Sequence, residues 1–159
     1  MTENAEVLGF AVPPVVKTVT VRCPVEAAFR RFAEDIAAWW PLDTHRLGPD
    51  ARGCAIEGRV GGRVFERDAG GAETLWGIVQ LWEPPHRLAF TWQVNVAPEQ
   101  AQRIEVTFTP VAAGTRVTLT HSGWEKLGAA GAARRDNYDK GWAMVFEQRF
   151  ADYANAAGG

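Results

Sequence analysis

The segment that decides the fold is YDKGWAMVFEQRFADY, residues 138–153. Its large apolar side chains recur at helical spacing: Tyr138, Trp142, Val145, Phe146, Phe150 and Tyr153. At 100° per residue these side chains fill an arc of about 140°, so one face of the predicted helix is aromatic. The opposite side carries Lys140, Met144, Glu147, Gln148 and Ala151. The pattern predicts an amphipathic C-terminal helix that begins between Leu127 and Asp136.

The sequence before this helix alternates apolar and polar residues. One face of the predicted strands carries Leu88, Phe90, Trp92, Val94, Ile104, Val106, Phe108, Val117 and Leu119. Alternation of this kind is typical of an antiparallel sheet with one face in water. An amphipathic helix laid on such an aromatic-lined sheet can enclose a cavity for a small apolar molecule.

The N-terminal part predicts an arm, a strand and a helical region. Residues 1–14 end in two prolines and are expected to form a flexible arm, followed by one domain over residues 15–157. Residues 15–21 are rich in valine and predict a strand. A helix is expected from Pro24, which fits the first helical turn, to about Trp40 before Pro41. A break at Glu34-Asp35 would leave two short helices, and residues 41–53 predict a loop.

The composition excludes several classes of protein. A chain of 159 residues is long enough for one domain that buries roughly two-thirds of its unfolded surface. The net charge of -2 gives no reason to expect nucleic acid or an anionic membrane as partner. No secretory signal or membrane-spanning apolar run is present, so a cytoplasmic location is expected. Cys23 and Cys54 predict no disulfide framework, although a bridge between them stays open.

Several local strings resemble a known superfamily. They are Pro24-Val25-Glu26-Ala27-Ala28-Phe29, Trp39-Trp40-Pro41, Gly61-Gly62-Arg63, Trp76-Gly77, Trp82-Glu83-Pro84-Pro85-His86-Arg87-Leu88 and Gly141-Trp142. With the order of predicted elements they resemble the START-like (SRPBCC) superfamily, in its branch of bacterial relatives of the activator of heat-shock-protein-90 ATPase. The resemblance implies an α+β helix-grip fold. Its curved antiparallel sheet of about six to seven strands wraps around a long C-terminal helix, and two short helices follow the first strand.

Two polar residues are expected inside this fold. His121 has the strand parity of Val117 and Leu119, so its imidazole should enter the interior, where it could transfer a proton, bind a ligand or be a satisfied core histidine. Arg149 falls among the aromatic residues of the helix. Its guanidinium could clamp a ligand carboxylate or pair with Glu57 or, better, Glu66. Alternatively, its stem could cross apolar surface while its head reaches water.

The side chains predicted to contact a ligand are Trp40, His45, Glu66, Trp76, Phe90, Trp92, His121, Trp142, Phe146 and Arg149. In the family fold, the region around Trp40 and His45 can form one mouth of the cavity, although the tryptophans could equally anchor the helices. The sequence has no metal-ligand spacing, nucleophile elbow, phosphate loop or dinucleotide fingerprint, so no metal, cofactor or catalytic residue is predicted.

Three functions remain open at this stage. The leading hypothesis is a protein that binds a small, largely apolar molecule, aromatic or lipid-like, between the sheet and the last helix. The second is a cavity enzyme of the cyclase, aromatase or hydrolase type, which the superfamily includes, with His121 as acid or base. The third is a co-chaperone-like interaction module. The chain could also form a homodimer.

Overall fold

The computed structural model describes residues 12–156, so most of the predicted arm over residues 1–14 lies outside the described residues. The boundary between that arm and the following domain stays a prediction. The strands are β1 (Val15–Val21), β2 (Ala51–Ile56), β3 (Arg63–Asp68), β4 (Glu73–Glu83), β5 (Arg87–Trp92), β6 (Gln102–Val111) and β7 (Gly114–Ser122). The helices are α1 (Val25–Ala33), α2 (Ile36–Trp39), α3 (Gly131–Trp142), a π-helical segment (Ala143–Phe150) and α4 (Ala151–Ala156), with 3₁₀ turns at Pro98–Gln100 and Trp124–Ala130.

All seven strands form one antiparallel sheet in the order β1-β7-β6-β5-β4-β3-β2. Strands β2 to β7 follow one another as a meander, and β1 closes the far edge by pairing with β7. The register shifts within the β2–β3, β3–β4 and β4–β5 pairs. Bulges of this kind bend a strand and increase its twist, so the sheet curls around the helices.

The two short helices lie between β1 and β2, as the sequence predicts. Pro24 is the residue before α1, not part of its first turn, and its carbonyl accepts the amide of Ala28. The predicted break is confirmed at Glu34 and Asp35, whose amides both donate to the carbonyl of Arg30. Because Pro41 follows directly, α2 is a single turn.

The C-terminal helix is continuous from α3 through the π-helical segment to α4 and packs its aromatic face on the sheet. Trp142, Val145, Phe146 and Phe150 are buried. Of the two placements predicted for Arg149, the inward one is wrong and the one with its head in water agrees with the structure, because this side chain is exposed. The prediction assumed 100° per residue, whereas i→i+5 hydrogen bonds wind the segment Ala143–Phe150 more widely and rotate Arg149 away from the interior.

One end of the interior between helix and sheet is filled by aromatic rings. Phe32 lies 5.2 Å from Phe150, and Phe146 stacks on Phe150 at 5.5 Å between ring centroids. Phe29 and Phe108 continue this cluster at 5.1 Å. These buried side chains form a packed aromatic core. The α+β helix-grip architecture is thus confirmed, and among residues 12–156 no helix combines the length and apolarity needed to cross a bilayer.

Candidate ligand-binding site

The opposite end of the interior is hollow. A pocket of about 280 Å³ opens where the loop after α2, the ends of β4 and β5, and the C-terminal helix meet. Its floor consists of buried apolar side chains: Trp40, Trp76, Trp92, Trp142 and Val145. Its rim carries half-buried and exposed residues: Thr44, His45, Arg46, Leu47, Val94, Asn95, Asn137, Tyr138 and Gly141. The pocket is therefore apolar in its depth and polar at its mouth.

Four tryptophans form the floor and contact one another; we call Trp40, Trp76, Trp92 and Trp142 the tryptophan tetrad. Trp76 and Trp92 come from the adjacent strands β4 and β5 and lie 5.6 Å apart. Trp40, which follows α2, lies 5.2 Å from Trp76 and 5.9 Å from Trp142. Because each tryptophan comes from a different element, the tetrad depends on the whole fold.

Every indole N–H of the tetrad donates to a protein atom. Nε1 of Trp40 donates to the His45 carbonyl at 2.8 Å, and Nε1 of Trp76 donates to Glu66 Oε1 at 2.8 Å. Nε1 of Trp92 donates to the Tyr138 hydroxyl at 2.9 Å, and Nε1 of Trp142 donates to His121 Nδ1 at 3.0 Å. An indole has only this one donor, so the tetrad offers the pocket only ring faces and C–H edges.

Glu66 supports the site from behind instead of lining the pocket. Its carboxylate is buried and accepts the backbone amides of Leu47 and Gly48, both at 2.6 Å, besides the Trp76 indole. Charge-assisted bonds of this kind are strong, and these two fix the loop that forms one wall of the pocket. The predicted pairing with Arg149 does not occur.

His121 lies behind Trp142 and does not reach the pocket. Its Nδ1 accepts the Trp142 indole N–H, so the proton of the neutral ring is on Nε2, which donates to Gln102 Oε1 at 3.1 Å. Its ring lies 4.1 Å from that of Trp124, and burial lowers the pKa of His121 to about 3. Both nitrogens are occupied and the surroundings are filled, so this position argues against the predicted role as acid or base.

His45 is the histidine that does line the pocket. Its Nδ1 lies 2.7 Å from the Thr44 hydroxyl, and its ring meets that of Trp40 edge-on at 6.5 Å. Burial lowers the pKa of His45, partly opposed by the negative charge of Asp43. A neutral imidazole at the mouth of an apolar pocket can accept or donate one hydrogen bond to a bound molecule.

The structure brings together only some of the side chains predicted for the site. Those that line the pocket are Trp40, His45, Trp76, Trp92 and Trp142, whereas Phe90, His121 and Phe146 are buried in the core, Glu66 lies behind the wall and Arg149 is exposed. Tyr138 was part of the predicted aromatic face but not of the predicted site. Gln102 shares the strand parity of Ile104, a signal that could have identified it as the partner of His121.

Comparison with known proteins extends these observations. Residues 22–155 match the family described as activator of Hsp90 ATPase homolog 1-like protein. A structure of an anthrahydroquino-γ-pyrone synthase, Txn09, complexed with SUM, is 37% identical, covers 89% of this chain and 97% of that chain, and has a TM-score of 0.59. No curated protein matches the chain.

Two further structures show likeness of fold alone. An AHSA1-like protein from Aeromonas hydrophila is 22% identical, covers 91% of this chain and 94% of that chain, and has a TM-score of 0.63. The Aha1 dimer from Colwellia psychrerythraea is 17% identical, with 92% and 98% covered and a TM-score of 0.60. Since the family match spans most of the sequence, the chain belongs to the family of activator of Hsp90 ATPase homolog 1-like proteins.

Proposed function

We propose that this protein binds a flat aromatic molecule of a few fused rings in the pocket above the tryptophan tetrad. The observation that carries the proposal is that four buried indoles border a cavity while all four N–H groups are bonded elsewhere. Aromatic rings attract one another in offset or edge-to-face arrangements, by about 0.5–1.5 kcal/mol beyond the area that they bury. A ring system therefore suits this floor better than a polar molecule does.

The size of the pocket favours an aromatic over a lipid-like ligand. Its volume of about 280 Å³ is small, since pockets for small molecules commonly measure ~300–1,000 Å³. The phenylalanine cluster around Phe32 and Phe150 packs the interior next to it, on the side where an acyl chain along the helix would extend. A compact ring system fits the depth of the pocket, with its polar edge at the mouth.

The substitution Gly141→Leu tests this proposal by occupying the pocket. Gly141 lines the cavity, and a Cβ added there meets no atom within 4 Å, so a larger side chain can enter the cavity without displacing protein. Leucine also has a higher helix propensity than glycine. With 9-fluorenone as the probe, quenching of tryptophan fluorescence should show an affinity at least about tenfold lower, the equivalent of roughly 60 Å² of lost apolar contact.

The matched control is Gln148→Leu, which places the same side chain on the exposed side of the same helix. It should bind 9-fluorenone like the wild type. Equal affinities of the Gly141→Leu variant and the wild type would contradict binding in this pocket. So would the absence of binding by the wild type across a panel of two- and three-ring aromatic probes.

A second candidate function is ring closure of such an aromatic molecule. It is favoured by the 37% identity to a protein described as an anthrahydroquino-γ-pyrone synthase, over 97% of that chain. A γ-pyrone forms without redox change when a phenol O–H adds across the triple bond of a neighbouring ynone. In this candidate function the pocket residue His45 relays the phenol proton to carbon. Faster cyclisation of an ortho-hydroxyaryl ynone, lost in His45→Gln, would support it.

The interaction-module hypothesis has less support. Among residues 12–156 the large apolar side chains that are exposed are Val16 and Val60, on or next to strands at opposite edges of the sheet order. Protein-docking surfaces generally need a contiguous apolar patch. The Colwellia psychrerythraea protein is described as a dimer; for the present chain a homodimer stays a prediction.

A further inference from the structure

We propose that the ligand carries a carbonyl oxygen, as in an aromatic ketone, quinone or pyrone, and that the hydroxyl of Tyr138 selects it by donating a hydrogen bond. This inference rests on the proposed function and specifies the class of ligand. It is carried by the direction of one hydrogen bond and by the shortage of other donors in the pocket.

The direction of the Trp92–Tyr138 bond is fixed by chemistry. The indole nitrogen can only donate, so at 2.9 Å the phenolic oxygen of Tyr138 must accept. The hydrogen of Tyr138 is left over, and no acceptor for it is found among residues 12–156. Since Tyr138 lines the pocket, an acceptor on the ligand can use this donor, and an O–H left unbonded in a half-buried position would be unfavourable.

The donor is also held in place. The Tyr138 ring lies 5.0 Å from the His121 ring and 5.3 Å from the Trp124 ring, while Trp92 fixes the oxygen. Burial raises the pKa of Tyr138, so the phenol keeps its hydrogen at neutral pH. A donor that is already oriented loses little entropy when a ligand binds.

Few other groups in the pocket can take this role. All four tetrad N–H groups are used inside the protein, so the floor has no donor to offer. Arg46, Asn95 and Asn137 are exposed at the rim, where water competes for their hydrogen bonds. His45 is the other half-buried side chain of the pocket that can donate, but Tyr138 is the one whose oxygen is held by a hydrogen bond from a tetrad indole.

The test compares two probes that differ at a single carbon, which is C=O in 9-fluorenone and CH₂ in fluorene. The ratio of their affinities is measured in the wild type and in Tyr138→Phe. The variant also frees the Trp92 indole N–H, which could donate to the carbonyl of fluorenone but not to fluorene. The ratio is therefore also compared between Trp92→Phe and Trp92→Phe/Tyr138→Phe, in which that N–H is absent. In this pair, loss of the Tyr138 hydroxyl should lower the preference for fluorenone about tenfold, within the range expected for one hydrogen bond.

Tyr153→Phe provides the matched control. Its hydroxyl donates to Asp35 Oδ2 at 2.8 Å, and Tyr153 does not line the pocket, so the fluorenone preference should not change. An infrared spectrum of fluorenone bound to the wild-type protein gives a readout that does not depend on any variant. Its carbonyl stretch should lie at lower frequency than in an aprotic apolar solvent.

The outcomes separate the two proposals. If neither probe binds, the proposed function fails and the choice of ligand class falls with it. If both bind but removing the Tyr138 hydroxyl leaves the ratio unchanged in the wild-type and the Trp92→Phe background, the role of Tyr138 is overturned while the pocket stands. A carbonyl stretch equal to that in an apolar solvent overturns it equally.

Discussion

Among single side chains, His121 is held by two hydrogen bonds, and the one that its Nδ1 accepts from Trp142 requires the neutral ring. A proton on Nδ1 would face the N–H of Trp142, which is a donor itself. Burial opposes the charge as well, and together with the two bonds it makes His121 a structural link between β7 and the tryptophan tetrad. The same residue type at the pocket mouth, His45, is only half-buried and remains accessible to a ligand.

A pH dependence of stability follows from this environment. The pKa of His121 is about 3 in the folded protein against 6.5 for the free side chain, so the unfolded chain takes up the proton first as the pH falls. The stabilisation is complete above pH 6.5 and is lost as the pH falls toward 3. From pH 7 to pH 5 the contribution amounts to about 2 kcal/mol.

Urea denaturation at pH 7 and pH 5 measures this contribution. The wild type should lose about 2 kcal/mol more than His121→Gln does over this range, whatever the absolute stability of the variant. The lowered pKa of His45 acts in the same direction, but this residue is present in both proteins and cancels. An identical pH dependence of the two proteins would show that His121 is protonated as easily in the folded state as in the unfolded chain.

For single residues, the sequence predicts which way a side chain points better than it predicts the hydrogen-bond partners of that side chain. Strand parity places His121 inside correctly, because side chains alternate along β7. Its partner Gln102 lies on β6 and comes near through the register that places Ile104 opposite His121. Its partner Trp142 comes from the C-terminal helix. Periodicity along one segment cannot reveal such pairings.

Among the secondary-structure elements, the strands and helices were predictable, whereas the contribution of the loops to the pocket was not. Alternation identifies β5, β6 and β7 because each has one buried face. The helical spacing of the aromatic residues identifies the C-terminal helix but not its π-helical winding, which places Arg149 on the exposed side. The loop after α2 has no period at all, although it supplies Thr44, His45 and Arg46 to the pocket.

The loop after α2 should depend on the carboxylate of Glu66. Glu66→Gln would place an amide N–H₂ group near the amides of Leu47 and Gly48, which need an acceptor. We expect the free energy of unfolding to fall by about 3 kcal/mol, since hydrogen bonds to a buried charge are worth ~1.5–3 kcal/mol each but are partly retained. Hydrogen exchange should show faster exchange at both amides, and 9-fluorenone should bind more weakly.

Glu83→Gln is the control for the Glu66→Gln substitution, because the Glu83 carboxylate is half exposed and pairs with Arg87 at the surface. Its effect on stability should stay within about 0.5 kcal/mol. Unchanged protection of Leu47 and Gly48 in Glu66→Gln would mean that the loop is held by other contacts.

In the molecule as a whole, the space between sheet and helix is divided into two parts. Phenylalanines from α1, β6 and the C-terminal helix fill one end, and tryptophans surround a hollow at the other. The sequence predicts both sets of rings on the inner surfaces, but it cannot tell which set packs tightly. That difference arises because Glu66, His121 and Tyr138 accept the N–H groups of three of the indoles. These hydrogen bonds hold the three rings away from the centre of the cavity.

The most direct test of the account is a crystal structure of the protein with 9-fluorenone. Its rings should lie in the pocket of about 280 Å³, in contact with Trp40, Trp92 and Trp142. A second concavity, on the outer side of α1, is lined by Phe29, Ile56 and Trp82. Well-defined density for the probe there, with the tryptophan pocket empty, would contradict the account.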